Sequence, residues 1–334
     1  MKAWVLRSQG KPIRERLNFE NFPDPVPHQG ELLVKVSACA LCRTDLHILE
    51  GDIPAHKLPL ILGHQIVGRV FKVGKGVKKF RVGDRVGIPW LNSVDQSCDF
   101  CKKGLENLCS EGRFTGYDVD GGFAEYTIIK EDFAYALPEG PRDYDLTPLL
   151  CGGVIGYRAF RLAEVSPGGK LGLYGFGSSA HIILQLAVKK GIKVFVRSRG
   201  SSRLELAKTL GATWTGDYFS PLPEALHSVI IFAPAGEIVP LALKDVERGG
   251  RVILAGIHMT PIPSFPYQLI YQERMLKSVA NSTRNDVKEF LEEAIQHQVK
   301  PEITLYKFQD LPQAFEDLSS GKLKGTGVIL VKNA

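Results

Sequence analysis

The sequence has no long hydrophobic run. Its longest apolar stretch, AHIILQLAV (180–188), is far short of the roughly 20 residues that span a bilayer. The opening MKAWVLRSQGKPIR turns polar after six residues, unlike the apolar centre of a signal peptide. These two absences predict a cytoplasmic protein with no membrane partner. Nor is there a large excess of one charge: 42 Lys and Arg stand against 36 Asp and Glu, a net +6. The densest basic stretch, KVGKGVKKFR (72–81), lies between apolar runs and carries turn glycines. It reads as a solvated turn, so no nucleic-acid partner is expected. Internal repeats and low-complexity segments are absent, which excludes repeat architectures. Cysteine is sparse, six in 334 residues, a usage that suggests metal ligands or buried thiols before disulfides.

One shortage lies inside a motif. The stretch VDQSCDFCKKGLENLC (94–109) offers Cys98, Cys101 and Cys109 where a closed structural zinc site takes four ligands. Asp95 stands three residues before Cys98, where spacing would put the first cysteine. A lost metal, a metal kept through a carboxylate, and a loop that never bound one are all open at this point.

At 334 residues the chain exceeds one comfortable core, so two domains are expected. Up to about residue 150, short alternating strands such as KAWVLR, ELLVKVSA and IVGRVFKVG are broken by Gly and Pro. That pattern predicts a β-rich, barrel-like domain. From about 153 the rhythm becomes strand, helix, strand, which predicts a doubly wound parallel sheet and an α/β fold class. The strand KLGLYG leads into the helix SSAHIILQLAVKKG, and IKVFVRS follows. The helix SSRLELAKTLG opens on a predicted capping box of Ser202 with Glu205, and a further helix is expected over EIVPLALKDVERGG (237–250). Beyond 283, RNDVKEFLEEAIQHQ is amphipathic, with Val287, Phe290, Leu291, Ala294 and Ile295 on one face.

Two constellations carry chemistry. The turn YGFGSSAH places Gly175, Gly177 and Ala180 in G-x-G-x-x-A spacing between a predicted strand and a predicted helix. That context suits dinucleotide binding: Gly175 for the tight turn, Gly177 for close approach of the pyrophosphate, Ala180 for helix packing, and a helix N-terminus for the phosphates. The second is Cys42, His64 and Cys151, three ligands that suit a catalytic zinc with its fourth position open. They come from scattered segments, so spacing alone leaves a core role open for His64 and Cys151. A helix beginning near Arg43 would favour the Cys42 thiolate. Cys39 and Cys42 also form a C-x-x-C, but no thioredoxin-like context surrounds it, and Cys39 reads as a small buried strand residue. Trp90 and Leu91 are read equally as pocket lining or as core.

Together these motifs, with CRTDLH, GHQIVG, CDFCKKGLENLC, DGGFAEY and LLCGG in that order, resemble the zinc-dependent medium-chain alcohol dehydrogenases along the whole chain. The resemblance implies a GroES-like β-rich catalytic domain over 1–152 and a Rossmann coenzyme-binding domain over 153–282. A return to the first domain follows over 283–334. It makes Cys42, His64 and Cys151 the catalytic zinc ligands, and Thr44 and His47 the path for the alcohol proton. Asp45 becomes the carboxylate that orients His64. Arg43 and the turn residues Gly175, Phe176, Gly177, Ser178, Ser179 and Ala180 are assigned to the coenzyme phosphates. Gly256 and Ile257 are assigned to the nicotinamide side.

Three departures from the family pattern stand out. Gln65 replaces the glutamate usual after the zinc histidine, removing a negative charge near the metal. The terminal GKLKGTGVIL lacks an arginine for the coenzyme phosphates, leaving Lys324 or Thr326 to substitute. Asp95 takes the first place of the family's C-x₂-C-x₂-C-x₇-C, and since zinc accepts carboxylate oxygen, a Cys₃Asp structural site is expected. The second Rossmann strand ends IKVFVRSRGSSR, with Ser198 at the position that is acidic in NAD enzymes and Arg197, Arg199 and Arg203 around it. NADP(H) is therefore the expected coenzyme, with NAD(H) as the second.

The expectation is an alcohol dehydrogenase, or aldehyde or ketone reductase, with two zinc ions per chain, assembled as a homodimer or homotetramer. The alternatives are a polyol or amino-alcohol dehydrogenase of the same superfamily, and a non-catalytic zinc or thiol-sensing protein. The second has no use for the Thr44/His47 relay.

Overall fold

The computed structural model describes residues 1–331; the last three residues of the predicted C-terminal return lie outside the described residues. The chain separates into two compact units. The first comprises Met1–Cys151, Thr283–Lys288 and the segment from Pro301 onward, and the second Gly152–Ser282 and Glu289–Lys300.

The first unit is organised on the strand Glu31–Ala40. Its sequence ELLVKVSACA is almost wholly apolar or small, as a strand covered on both faces requires. It pairs antiparallel with Gln65–Val73, Tyr126–Lys130 and Thr326–Leu330. The last pairing brings the C-terminal strand into the N-terminal sheet, with Cys39 opposite Ile329. Phe123, buried here, meets the helix Leu311–Ser319 edge-to-face at Phe315, ring centroids 5.8 Å apart. Gly63 has φ +96°, and a Cβ there would lie 2.8 Å from the Cys39 sulfur. Glycine therefore sets the bend that delivers His64.

The second unit carries six parallel strands in the spatial order Trp214–Gly216, Lys193–Arg197, Lys170–Tyr174, Leu226–Ile231, Val246–Leu254, Met275–Ser278. Numbered along the chain this is 3-2-1-4-5-6, the doubly wound order whose ligands bind at the carboxyl ends of the strands. No helix among the described residues is long and apolar enough to cross a membrane.

Several expectations need correction. The helix expected over 237–250 ends at Asp245, and Val246–Leu254 is strand. Val246 lies opposite Leu226 in the sheet and is buried, so lateral pairing overrides the helical reading of VERGG. The Ser202–Glu205 capping box does not form. The helix Ser201–Thr209 is capped two residues earlier, by Gly200 at φ +88°, and Glu205 pairs instead with Lys208. In the helix Arg284–Gln296, Val287, Phe290, Leu291 and Ala294 are buried, but Ile295 is exposed at the edge of the stripe. Phe290 fits against Gly153, where a Cβ would sit 2.3 Å from its ring. That packing assigns residues 289–300 to the second unit and interrupts the return expected from 283.

Candidate metal centres and coenzyme turn

Cys42 is the N-cap of the helix Arg43–Glu50, and the Thr44 N–H points to its sulfur at 3.5 Å. The Thr44 hydroxyl also lies 3.5 Å from that sulfur. Asp45 closes the cap by accepting the Cys42 N–H at 2.9 Å, a capping box with cysteine in the serine place. Its other oxygen accepts the Gly63 N–H at 3.1 Å and lies 2.9 Å from His64 Nδ1. Both side chains are buried. The imidazole is thus fixed with Nδ1 as donor, and its Nε2 is buried with no hydrogen-bond partner. That nitrogen and the sulfurs of Cys42 and Cys151 lie within 4.8 Å of one another.

The protons distribute accordingly. The Cys151 thiol holds Cys42 well below the ordinary thiol range, and His64 adds to this against the opposing effect of burial. The neighbouring Cys42 sulfur, then desolvation, push the Cys151 thiol well above that range. Burial works against a charged His64, but Asp45 and the Cys42 thiolate hold it up at about 10. A pre-oriented imidazole nitrogen without a hydrogen-bond partner, close to two cysteine sulfurs, is a donor set suited to a divalent metal.

Trp90 touches this centre, its ring edge-to-face with His64 at 4.6 Å and stacked on Phe114 and Tyr117. Leu91, by contrast, is core. Gln65 is buried and donates from Nε2 to the Leu41 carbonyl at 3.1 Å, beside Cys42. His47 lies one turn along the helix from Thr44, and its Nδ1 is 2.8 Å from Asp52. Asp52 drew no notice in the sequence, although an acid five residues after a candidate relay histidine was a readable signal. Cys39 is buried, as expected.

The second cluster is Asp95, Cys98, Cys101 and Cys109, whose ligand atoms also lie within 4.8 Å of one another. Asp95 Oδ1 accepts the N–H groups of Ser97 at 2.8 Å and Cys98 at 3.0 Å. Those backbone bonds hold its carboxyl well below the usual carboxylate range. Cys98 caps the short helix Asp99–Lys102, its sulfur accepting the Cys101 N–H. Burial, then Asp95 and the neighbouring thiols, push the Cys101 thiol up to about 12. All six cysteines are unbridged. Glu106, buried within this loop, accepts from the Arg284 backbone N–H at 2.9 Å and its Nε at 3.0 Å. Nothing in the sequence marks a partner 178 residues away.

In the coenzyme turn, Gly175 has φ +88°, and a Cβ on it would lie 2.7 Å from the Ala233 nitrogen, so only glycine fits. A Cβ on Gly177 would meet nothing within 4 Å, which leaves open space above the N-terminus of the helix Ser178–Lys189. Ala180 is fully buried against neighbouring packing. His181, also buried, sets its Nδ1 3.1 Å from the Gly177 carbonyl, a contact the sequence reading missed. Ser198 is buried, and its hydroxyl lies 3.4 Å from the Phe176 N–H. Arg199 and Arg203 are exposed, and Arg199 Nη2 lies 3.7 Å from Glu237.

Two candidates for phosphate contact fail. Arg197 is buried between the rings of Tyr174 and Trp214. It donates to Asp245 at 3.2 Å and to the carbonyls of Asp217 and Ser220 at 2.6 and 2.7 Å. Its donors are committed to the fold. Thr326 is buried as the first residue of the strand Thr326–Leu330 and cannot face a phosphate; Lys324 and Arg43 are exposed. Gly256 and Ile257 follow the end of the strand Val246–Leu254, with Ile257 exposed.

Residues 28–139 match the family described as alcohol dehydrogenase GroES-like domain, and residues 180–296 the family described as zinc-binding dehydrogenase. The probable alcohol dehydrogenase AdhA of Mycobacterium tuberculosis (strain CDC 1551 / Oshkosh) is 44% identical, over 99% of this chain and 97% of that protein. An alcohol dehydrogenase of Geobacillus stearothermophilus is 34% identical over 99% of both. Among solved structures, a cinnamyl alcohol dehydrogenase (SbCAD4) from Sorghum bicolor superposes with a TM-score of 0.90 at 27% identity. That match covers 99% of this chain and 97% of that one.

Proposed function

Because the chain belongs to the zinc-dependent medium-chain alcohol dehydrogenase family, we propose that it interconverts a primary or secondary alcohol with its aldehyde or ketone. We assign Cys42, His64 and Cys151 to a catalytic zinc, Asp95, Cys98, Cys101 and Cys109 to a structural zinc, and NADP(H) as the preferred coenzyme. The observation that carries the first assignment is the buried, partnerless Nε2 of His64, within 4.8 Å of the sulfurs of Cys42 and Cys151.

When bound, zinc supplies a Lewis acid that lowers the pKa of an alcohol, and the nicotinamide accepts hydride. The chain's own residues do the rest. Asp45 fixes the His64 ring through Nδ1 and holds the Cys42 backbone. Thr44, beside the Cys42 sulfur, accepts the proton the alcohol gives up. His47 takes that proton toward solvent. Asp52 keeps Nδ1 of His47 as the donor and leaves Nε2 to accept. Trp90 lines the His64 side with an apolar ring, which favours apolar alcohols over polyols.

The coenzyme phosphates are assigned to the Gly175–Ala180 turn at the N-terminus of a helix. With Ser198 where a carboxylate would repel a 2′-phosphate, Arg199 and Arg203 are left as its donors. Each charge-assisted bond contributes about 1.5–3 kcal/mol. Steady-state turnover of simple alcohols and aldehydes with both coenzymes, alongside metal analysis, tests the whole reading. The expected result is two zinc ions per chain and kcat/KM at least about tenfold higher with NADPH, about 1.4 kcal/mol. A preference for NADH, or a chain purified gently with one zinc or none, would contradict it.

A further inference from the structure

We propose that Glu237 is a positioning residue for coenzyme choice: it holds the Arg199 guanidinium and competes for it with a bound 2′-phosphate. The inference rests on the NADP(H) reading above and adds a residue that weakens the preference. Arg199 follows the strand Lys193–Arg197, and Glu237 lies in the turn Gly236–Ile238 after the strand Leu226–Ile231. Both therefore stand at the carboxyl ends of parallel strands, the edge at which ligands of such sheets bind.

The carboxylate is tethered to its own turn. Glu237 Oε2 accepts from the Thr260 hydroxyl at 3.4 Å, and Thr260 Oγ1 in turn accepts the Gly236 N–H at 2.8 Å. A Cβ at Gly236 would lie 2.4 Å from the carbonyl oxygens of Thr260 and Pro261, so this turn is packed hard against residues 260–261. The other oxygen, Oε1, faces Arg199 Nη2 at 3.7 Å. The side chains of Arg199 and Glu237 are 77% and 63% exposed, so the pair is loose and can open.

A 2′-phosphate and a carboxylate compete for one guanidinium. With the dinucleotide that lacks the phosphate, Glu237 keeps Arg199 and nothing is lost. With NADP(H), Arg199 leaves Glu237 or is shared between two anions, and part of the phosphate's binding energy offsets that change. Glu237 thus narrows the gap between the coenzymes through the phosphate-bearing one alone.

The test is fluorescence titration of the full-length protein with NADPH and NADH, at low and at about 0.5 M salt, for four proteins: wild type, Glu237→Gln, Arg199→Ala and the double variant. Glu237→Gln keeps an oxygen for the Thr260 hydroxyl. It is expected to tighten NADPH binding about three- to fivefold at low salt, the range of an exposed ion pair. NADH affinity should stay within about 1.5-fold, and the gain should shrink at high salt as screening sets in. In the Arg199→Ala background the gain should fall by more than half. Unchanged or weaker NADPH binding, an equal shift for NADH, or a gain undiminished without Arg199 would each overturn the proposal. The underlying reading fails differently: wild type and Arg199→Ala would then bind NADPH and NADH alike.

Discussion

A carboxylate and a thiolate bring the same charge to a zinc site by different routes. Zinc–oxygen bonds of about 2.0–2.2 Å are shorter than zinc–sulfur bonds of about 2.3 Å, and an aspartate reaches one bond further than a cysteine. Asp95 is also held in place by two backbone N–H groups, so its orientation precedes any metal. Asp95→Ala is therefore expected to lower the zinc content from two to one while alcohol turnover at 25 °C persists. A metal a hundredfold above its Kd contributes about 2.7 kcal/mol, which in a chain this size corresponds to about 4 °C of unfolding midpoint. Asp95→Cys should restore both quantities, and an Asp95→Ala protein with two zinc ions would remove the carboxylate from the site. Interval spacing made this residue legible, since a place in a motif names its occupant. Arg197 was misread because adjacency to Ser198 says nothing of direction: the strand turns its guanidinium inward, between Tyr174 and Trp214. Glu106 and Glu237 were invisible for another reason. Their partners, Arg284 and Arg199, lie far along the chain and meet them only through folding.

At the scale of elements, hydrophobic periodicity and glycine punctuation carried most of the strand and helix positions, and lateral pairing decided the rest. Val246–Leu254 contains VERGG, a stretch that reads as the end of a helix, yet its neighbour Leu226–Ile231 draws it into the sheet. The strand Met275–Ser278 pairs on one side only, with Val246–Leu254, and forms an edge of the six-stranded sheet. Its outer row of backbone donors and acceptors is a template for another strand. Met275, Tyr267 and Tyr271 add exposed apolar surface nearby. If the homo-oligomer expected from the sequence forms through this edge, the two strands would run antiparallel about a two-fold axis. Light scattering should then give at least a dimer at micromolar concentration. Met275→Glu, which brings like charges together across the two-fold, should shift it toward monomer while coenzyme binding per chain is kept. A monomeric wild type, or a Met275→Glu protein of unchanged mass, would count against this edge.

At the scale of the whole molecule, the proposed metal sets and the proposed coenzyme turn fall in different units. Both donor sets, Cys42/His64/Cys151 and Asp95/Cys98/Cys101/Cys109, belong to the first unit, and among the described residues no other cluster of three or more His, Cys, Asp or Glu ligand atoms occurs. The Gly175–Ala180 turn, Arg199, Arg203 and Gly256 belong to the second. A ligand stabilises whatever must stay folded to bind it, so metal and coenzyme should protect different stretches from hydrogen exchange. Chelation of the full-length protein is expected to speed exchange over residues 43–50 and 95–109 and to leave the strands 170–174 and 193–197 unchanged. NADP⁺ at a hundredfold above its Kd should do the reverse, slowing globally exchanging amides of the second unit by about a hundredfold, the equivalent of about 2.7 kcal/mol. The slowing should be largest over 175–181 and 198–204, where the open face of Gly177 and the exposed arginines lie. A uniform response to either ligand would mean that the two units open as a single cooperative body. The stabilisation by metal would then reach the coenzyme turn, despite the separate cores that Phe123 and Phe195 occupy in their own units.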